Sequence, residues 1–158
     1  MIRPSFRRRN ARNLCSSRLY DNETFYKKFM NDISHAKQRV YIESPFITTK
    51  RVQKLWPAFE KLRKRNVRIT INTRCPDEHE GEYVNQAFNA VISMQEIGIE
   101  VLYTVKHHRK LAIVDDDILW EGSLNILSQN DSCEMMRRSV SKQLVKQMVD
   151  FIGLSRWQ

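Results

Sequence analysis

The sequence is short of residues that break or cross-link a chain. Its 158 residues include four glycines, four prolines and three cysteines. So little Gly and Pro argues against a fibrous or loop-dominated protein. Cys15, Cys75 and Cys133 are odd in number and far apart, which fits a reducing, cytoplasmic compartment. No stretch approaches the ~18 apolar residues of a membrane span. The N-terminus is charged but lacks the apolar segment of a secretory signal. Its Arg-rich, acid-free start resembles a transit peptide only loosely, being short. There is no internal repeat and no low-complexity linker.

Positive charge is abundant. The formal net charge is +9 and the sequence pI about 9.7, a balance that favours polyanions. Arg3, Arg7, Arg8, Arg9, Arg12 and Arg18 supply +6 before the first acidic residue, leaving +3 for the rest. Residues 1–18 therefore read as a basic, flexible arm, serving either solubility or nucleic-acid contact. Residues 19–158 read as one domain, since the length suits a single hydrophobic core.

Along that domain, helical and strand patterns alternate. Asp21 and Asn22 are N-cap types ahead of Phe25, Phe29 and Ile33 at helical spacing. "QRVYIES" alternates as a strand. Thr48 or Thr49 caps a helix with Val52, Leu55, Phe59 and Leu62 inward, and Pro57 predicts a kink or late start in it. "VRITIN" and "IEVLY" are strands. Between them Val84, Ala87, Phe88, Val91 and Met94 form a helical stripe that Gly98 ends. "KLAIVDDDILWEG" is a hairpin around an Asp turn. Val140, Leu144, Met148 and Ile152 form a last helical stripe. The expected fold is α/β, with a mixed, largely parallel central sheet and helices on both faces. Its site should lie at the ends of the central strands. Cys75 and His79 have no second Cys/His pair nearby, so Cys75 reads as a free loop cysteine.

One stretch concentrates ionisable groups: "KHHRKLAIVDDDILWEGSLN", residues 106–125. On a strand, His108 and Lys110 project to one side. Lysine offers a point charge to a phosphoryl oxygen, and histidine a nucleophile or acid near neutral pH. Asn125 adds amide donors. Gly122 and Ser123 allow backbone N–H groups and a hydroxyl to approach an anion closely. Such a cradle needs no metal or other cofactor. His107 faces the other way, as a packing or substrate-rim residue. His107, Arg109 and Gly122 make up the expected substrate-binding set. Asp116 and Asp117 read as the exposed turn.

The spacing H-x-K-x4-D-x6-G-S-x-N resembles the signature of the phospholipase D superfamily, also called the HKD family. Chance agreement at six fixed positions is on the order of one in a million sequences. The resemblance implies a phospholipase D-like half-domain over roughly residues 18 to 154. It implies catalytic roles for His108, Lys110, Asn125 and Ser123, with Asp115 mainly structural. Downstream, "SQNDSCE" puts Glu134 where the family carries the carboxylate that orients the histidine, with Ser132 standing for the family's Asn.

The family's chemistry uses two histidines. One forms a covalent phosphohistidine and the other protonates the leaving oxygen. This chain has one motif, so it resembles the small single-motif bacterial HKD nucleases, which work as homodimers. "EGSLNILSQNDSCEMMRR" also resembles the HKD domains of helicase-type proteins, which suggests a partner of that type. The implied function is a metal-independent nuclease acting on DNA or RNA, single strands by preference. Arg51, Lys54, Lys61, Arg63, Lys64, Arg65, Arg137 and Arg138 are then either phosphate contacts or ordinary helix-surface charge. A phospholipid phosphodiesterase would call for an apolar access surface, which the sequence does not display. The third possibility is a nucleic-acid-binding or targeting domain with little catalysis.

Overall fold

The computed structural model describes residues 16–128 and 132–154. Arg3, Arg7, Arg8, Arg9, Arg12 and Cys15 lie outside the described residues. β-branched runs flanked by turns build a parallel trio: β2 (Arg39–Glu43) pairs with β3 (Arg68–Thr73), and β3 with β4 (Glu100–Tyr103). The chain then doubles back. β5 (Leu111–Val114) runs antiparallel to β2, followed by β6 (Ile118–Gly122), β7 (Met135–Val140) and the edge strand β1 (Ser16–Asp21). The order is β1-β7-β6-β5-β2-β3-β4.

The sheet is mixed, as expected, but two pairings are parallel and four antiparallel. "Largely parallel" therefore overstated one half. A crossover helix forces the parallel pairings, whereas the hairpin and the returning edge strand need none. The arm boundary is also corrected, because Ser16, Ser17 and Arg18 belong to β1.

Helices cover both faces. α1 (Phe25–Ser34), α2 (Thr49–Lys64) and α3 (Glu82–Glu96) pack one face over Val40, Ile42, Ile69, Ile71, Ala112 and Val114. Trp120 sits fully buried there, edge-on to Phe25 at 4.9 Å between ring centroids. α4 (Lys142–Ile152) covers Tyr41, Leu111, Ile113 and Leu119 on the other face, with Val145 innermost. Ser141 caps α4 through a hydrogen bond from Leu144 N–H, and Gly153 ends it at φ 67°.

Local details depart from expectation. Val140, expected in the last helical stripe, ends β7 instead, and α4 starts at Lys142. Asp21 does not cap α1; its carboxylate closes the preceding turn on the N–H groups of Glu23 and Thr24. Pro57 lies inside one continuous helix, on its exposed side, so the helix does not start late there. Phe88 faces solvent, and Ala90 is buried in the helical stripe instead.

Candidate active site

β5 is the middle strand, and the residues just before it reach the carboxyl end of β2. The ladder runs on past the strand's formal start: Gly122 N–H donates to the Lys110 carbonyl at 3.3 Å. Ahead of the strand the side chains still alternate: His107 and Arg109 reach Glu43, while His108 and Lys110 reach each other. Lys110 Nζ lies 3.1 Å from His108 Nδ1 and 2.8 Å from the His108 carbonyl. The two residues border an open cleft of about 660 Å³, shared with Gly122, Ser123, Arg137 and the α4 side chains Met148 and Phe151. Burial pushes Lys110 below the usual lysine range. Glu134 opposes that shift and Arg74 adds to it. Glu134 is thus within electrostatic reach of Lys110, and it accepts a hydrogen bond from the Ser132 hydroxyl.

His107 and Arg109 turn the opposite way. His107 is buried, with Nε2 3.8 Å from the carboxylate of Glu43. Desolvation holds it below the ordinary imidazole range; Glu43 pulls upward, and Arg109, Lys110 and Arg74 push down. It is a packing residue, not a rim residue. Arg109 lines the cleft, but its Nε and an Nη donate to Glu43 at 2.6 and 3.0 Å. Its main partner is therefore internal, contrary to a purely substrate-facing role.

Asn125 is buried, and its side-chain oxygen has no hydrogen-bond partner. The loop that carries it is pinned from three sides. Tyr26 OH donates to the Ile126 carbonyl, Leu127 N–H donates to Ser44 Oγ, and Thr48 N–H donates to the Leu127 carbonyl.

Gly122 and Ser123 are placed differently from expectation. Gly122 N–H goes to Lys110, and Ser123 N–H to the Met135 carbonyl at 2.9 Å. Neither donor is left for an anion. A Cβ on Gly122 would stand 2.1 Å from the Met135 carbonyl oxygen, so glycine lets β6 and β7 close. The Ser123 hydroxyl accepts from Met135 N–H at 3.0 Å, tying the ends of the same loop.

Asp115 is at the far end of β5 from His108, which removes it from the reacting groups. Its carboxylate accepts the backbone N–H groups of Lys37, Gln38 and Arg39 at 2.9 to 3.2 Å. The residue has φ 50°, a left-handed conformation that Asp tolerates better than most. Its role is structural. Asp116 is not merely a turn residue, since it pairs with Arg39 at 2.6 Å.

Sequence reasoning missed two buried carboxylates. Glu43 is fully buried under the site. Asp32, on the opposite face, accepts from Arg138 at 2.7 and 3.0 Å and from Trp120 Nε1 at 2.9 Å. In each, the available signal was a lone acid on an apolar face.

Several expected nucleic-acid contacts serve the fold. Arg138 pairs with Asp32, Arg63 donates to the carbonyls of Ile97 and Val67, and Arg65 to that of Ala36. Arg51 stacks on Tyr26, 3.5 Å from the ring centroid. Among the described residues, no helix is long and apolar enough to cross a membrane.

A His–Lys pair just ahead of the central strand of a mixed sheet borders an open cleft, and the chain is a phosphodiesterase of the phospholipase D superfamily. The chain belongs to the family described as "Cardiolipin synthase, PLD-like domain", which it matches over residues 29–153. Among curated proteins, none matches the sequence. The fold resembles Nuc from Salmonella typhimurium, a phospholipase D family member, at TM-score 0.67 and 19% identity, over 91% of this chain and 92% of that one. It likewise resembles NucT from Helicobacter pylori, at 0.65 and 16%, over 87% and 92%. Phosphatidylserine synthase from Haemophilus influenzae shares the fold at 0.64 and 10%, over 92% of this chain but 39% of its own.

Proposed function

We propose that the protein is a nuclease that cleaves nucleic acid without a metal, single strands by preference, through a covalent phosphohistidine at a homodimer interface. The observation that carries this reading is the His108–Lys110 pair, 3.1 Å apart at an open cleft, present once per chain. Lys110 donates to His108 Nδ1, which leaves the proton on Nε2. A phosphate draws Nζ to its own oxygens. Nδ1 then takes the proton and Nε2 becomes the nucleophile. Nε2 attacks phosphorus, and the P–O bond to the leaving group breaks as the P–N bond forms. In-line geometry requires the leaving oxygen to receive its proton from the opposite side, which His108 of a second copy would supply. Water then attacks phosphorus, gives its proton to that second imidazole and releases His108.

Glu134 is assigned to orienting this machinery, and Asn125, through the N–H donors of its side-chain amide, to holding the phosphate. Arg137, exposed at the cleft, provides a strand-binding cation. The free thiols of Cys75 and Cys133 fit a cytoplasmic setting. A helicase-type protein is the proposed partner, on the sequence resemblance alone.

A second reading is favoured by one observation. Met135 and Phe151, 51% and 79% exposed, border the same cleft. This is the apolar surface that a phospholipid phosphodiesterase calls for. Labelled single-stranded oligonucleotides and anionic phospholipid vesicles, each incubated in EDTA with wild type and with His108→Ala, separate the readings. The nuclease account expects strand cleavage that survives EDTA and vanishes in the variant, from a dimer by light scattering. Lipid turnover alone supports the second reading. Cleavage that EDTA abolishes, or that His108→Ala retains, contradicts the mechanism.

A further inference from the structure

The mechanism leaves a buried charge beside the site unused. Glu43, the last residue of β2, is fully buried beside the segment that carries His108. A carboxylate in such a place is costly unless it is paired and hydrogen-bonded. Arg109 donates to both of its oxygens at 2.6 and 3.0 Å. The Tyr41 hydroxyl donates at 2.6 Å, and Asn72 Nδ2 lies 3.4 Å away. His107 Nε2 completes the shell at 3.8 Å.

Residues 104–110 form no helix or strand, and Lys106 has φ 53°. Ladder-type bonds reach only the ends of this segment, at Thr104 and Lys110, so something else must fix residues 105–109. Arg74 holds the His107 carbonyl with two donors, at 2.9 and 3.3 Å, and Glu78 accepts from Lys106 N–H. These contacts fix the backbone up to residue 107. Arg109 is the next anchor. Since side chains alternate, holding 107 and 109 on one side directs 108 and 110 to the other.

We propose that the buried Glu43 and the partly exposed Arg109 form a clamp that positions His108 and Lys110 for phosphoryl transfer. Arg109 acts on the reaction through Glu43, not through substrate. The inference rests on the assignment of His108 and Lys110 to the chemistry. Glu43 and Arg109 are positioning residues, and loss of either misplaces the reacting nitrogen.

The test compares Glu43→Gln, Arg109→Gln and Arg109→Lys with wild type. Probes are bis(4-nitrophenyl) phosphate for turnover and a fluorescent single-stranded oligonucleotide for binding. The clamp predicts that Glu43→Gln and Arg109→Gln each lower kcat by about 10- to 100-fold. KM and strand affinity should stay within about twofold, and Arg109→Lys should recover part of the rate. The Arg109 side chain is 42% exposed, so its variants decide the matter if Glu43→Gln does not fold. Two results overturn the clamp: wild-type kcat in Arg109→Gln, or a raised KM and weaker strand binding with kcat unchanged, which would make Arg109 a substrate ligand. Histidine ring NMR gives a readout independent of turnover. His108 signals that shift and broaden in Arg109→Gln at unchanged melting temperature support the clamp, and signals identical to wild type overturn it. If wild type cleaves neither probe, the nuclease reading fails and the NMR result alone judges the clamp.

Discussion

In the proposed mechanism Lys110 works as a cation, and its half-buried position sets where that charge is lost. Desolvation lowers its pKa from the ordinary 10.5, Arg74 pushes the same way, and Glu134 pulls back. The charged form therefore disappears at lower pH than for an exposed lysine. The alkaline limb of kcat/KM should fall below 10.5. Glu134→Gln removes the stabilising charge and should move that limb further toward neutrality. A pH–rate profile of both proteins checks this, and an unmoved or upward-moving limb in the variant would separate Glu134 from Lys110. The pair His108 and Lys110 was legible in the sequence because an i, i+2 spacing survives any backbone that stays extended. The second partners were not. Nothing in "RVYIE" shows that Glu43 accepts from an arginine 66 residues later, since the contact depends on β2 and β5 lying side by side.

At the scale of elements, the helices and central strands were legible because burial imposes a period on them. Val52, Leu55, Phe59 and Leu62 are all buried along α2, as their spacing predicts. β1 and β7 carried no such mark. β1 is exposed along nearly its whole length, and "MMRRSV" buries only Met136 and Ser139, three positions apart. Their place came from pairing, and Gly122 makes that pairing close. With a Cβ only 2.1 Å from backbone oxygen, Gly122→Ala must push β6 and β7 apart. Overpacking of this kind costs about 1–3 kcal/mol. Urea unfolding should report a loss in that range; an unchanged midpoint would mean that the strands part freely.

Across the whole molecule, net charge was a weaker guide than motif spacing. The +9 balance pointed to a polyanion, yet Arg51, Arg63, Arg65 and Arg138 are committed to a ring, to carbonyls and to Asp32. Cations near the cleft, Arg137 and Lys110 among them, carry the argument that remains. The chain supplies one His–Lys pair, and the proposed chemistry asks for two histidines on opposite sides of one phosphorus. The proposed homodimer would meet that need without any further residue type. All of this depends on a bond between His108 and phosphorus. The most direct measurement is acid-quenched single turnover in EDTA with a strand labelled at the scissile phosphate, followed by mass spectrometry of the peptide that contains residue 108. The account predicts a phosphoramidate adduct on His108 that forms and decays within the turnover and is absent from His108→Ala. Turnover with no adduct at any time, or an adduct on another residue, would contradict it.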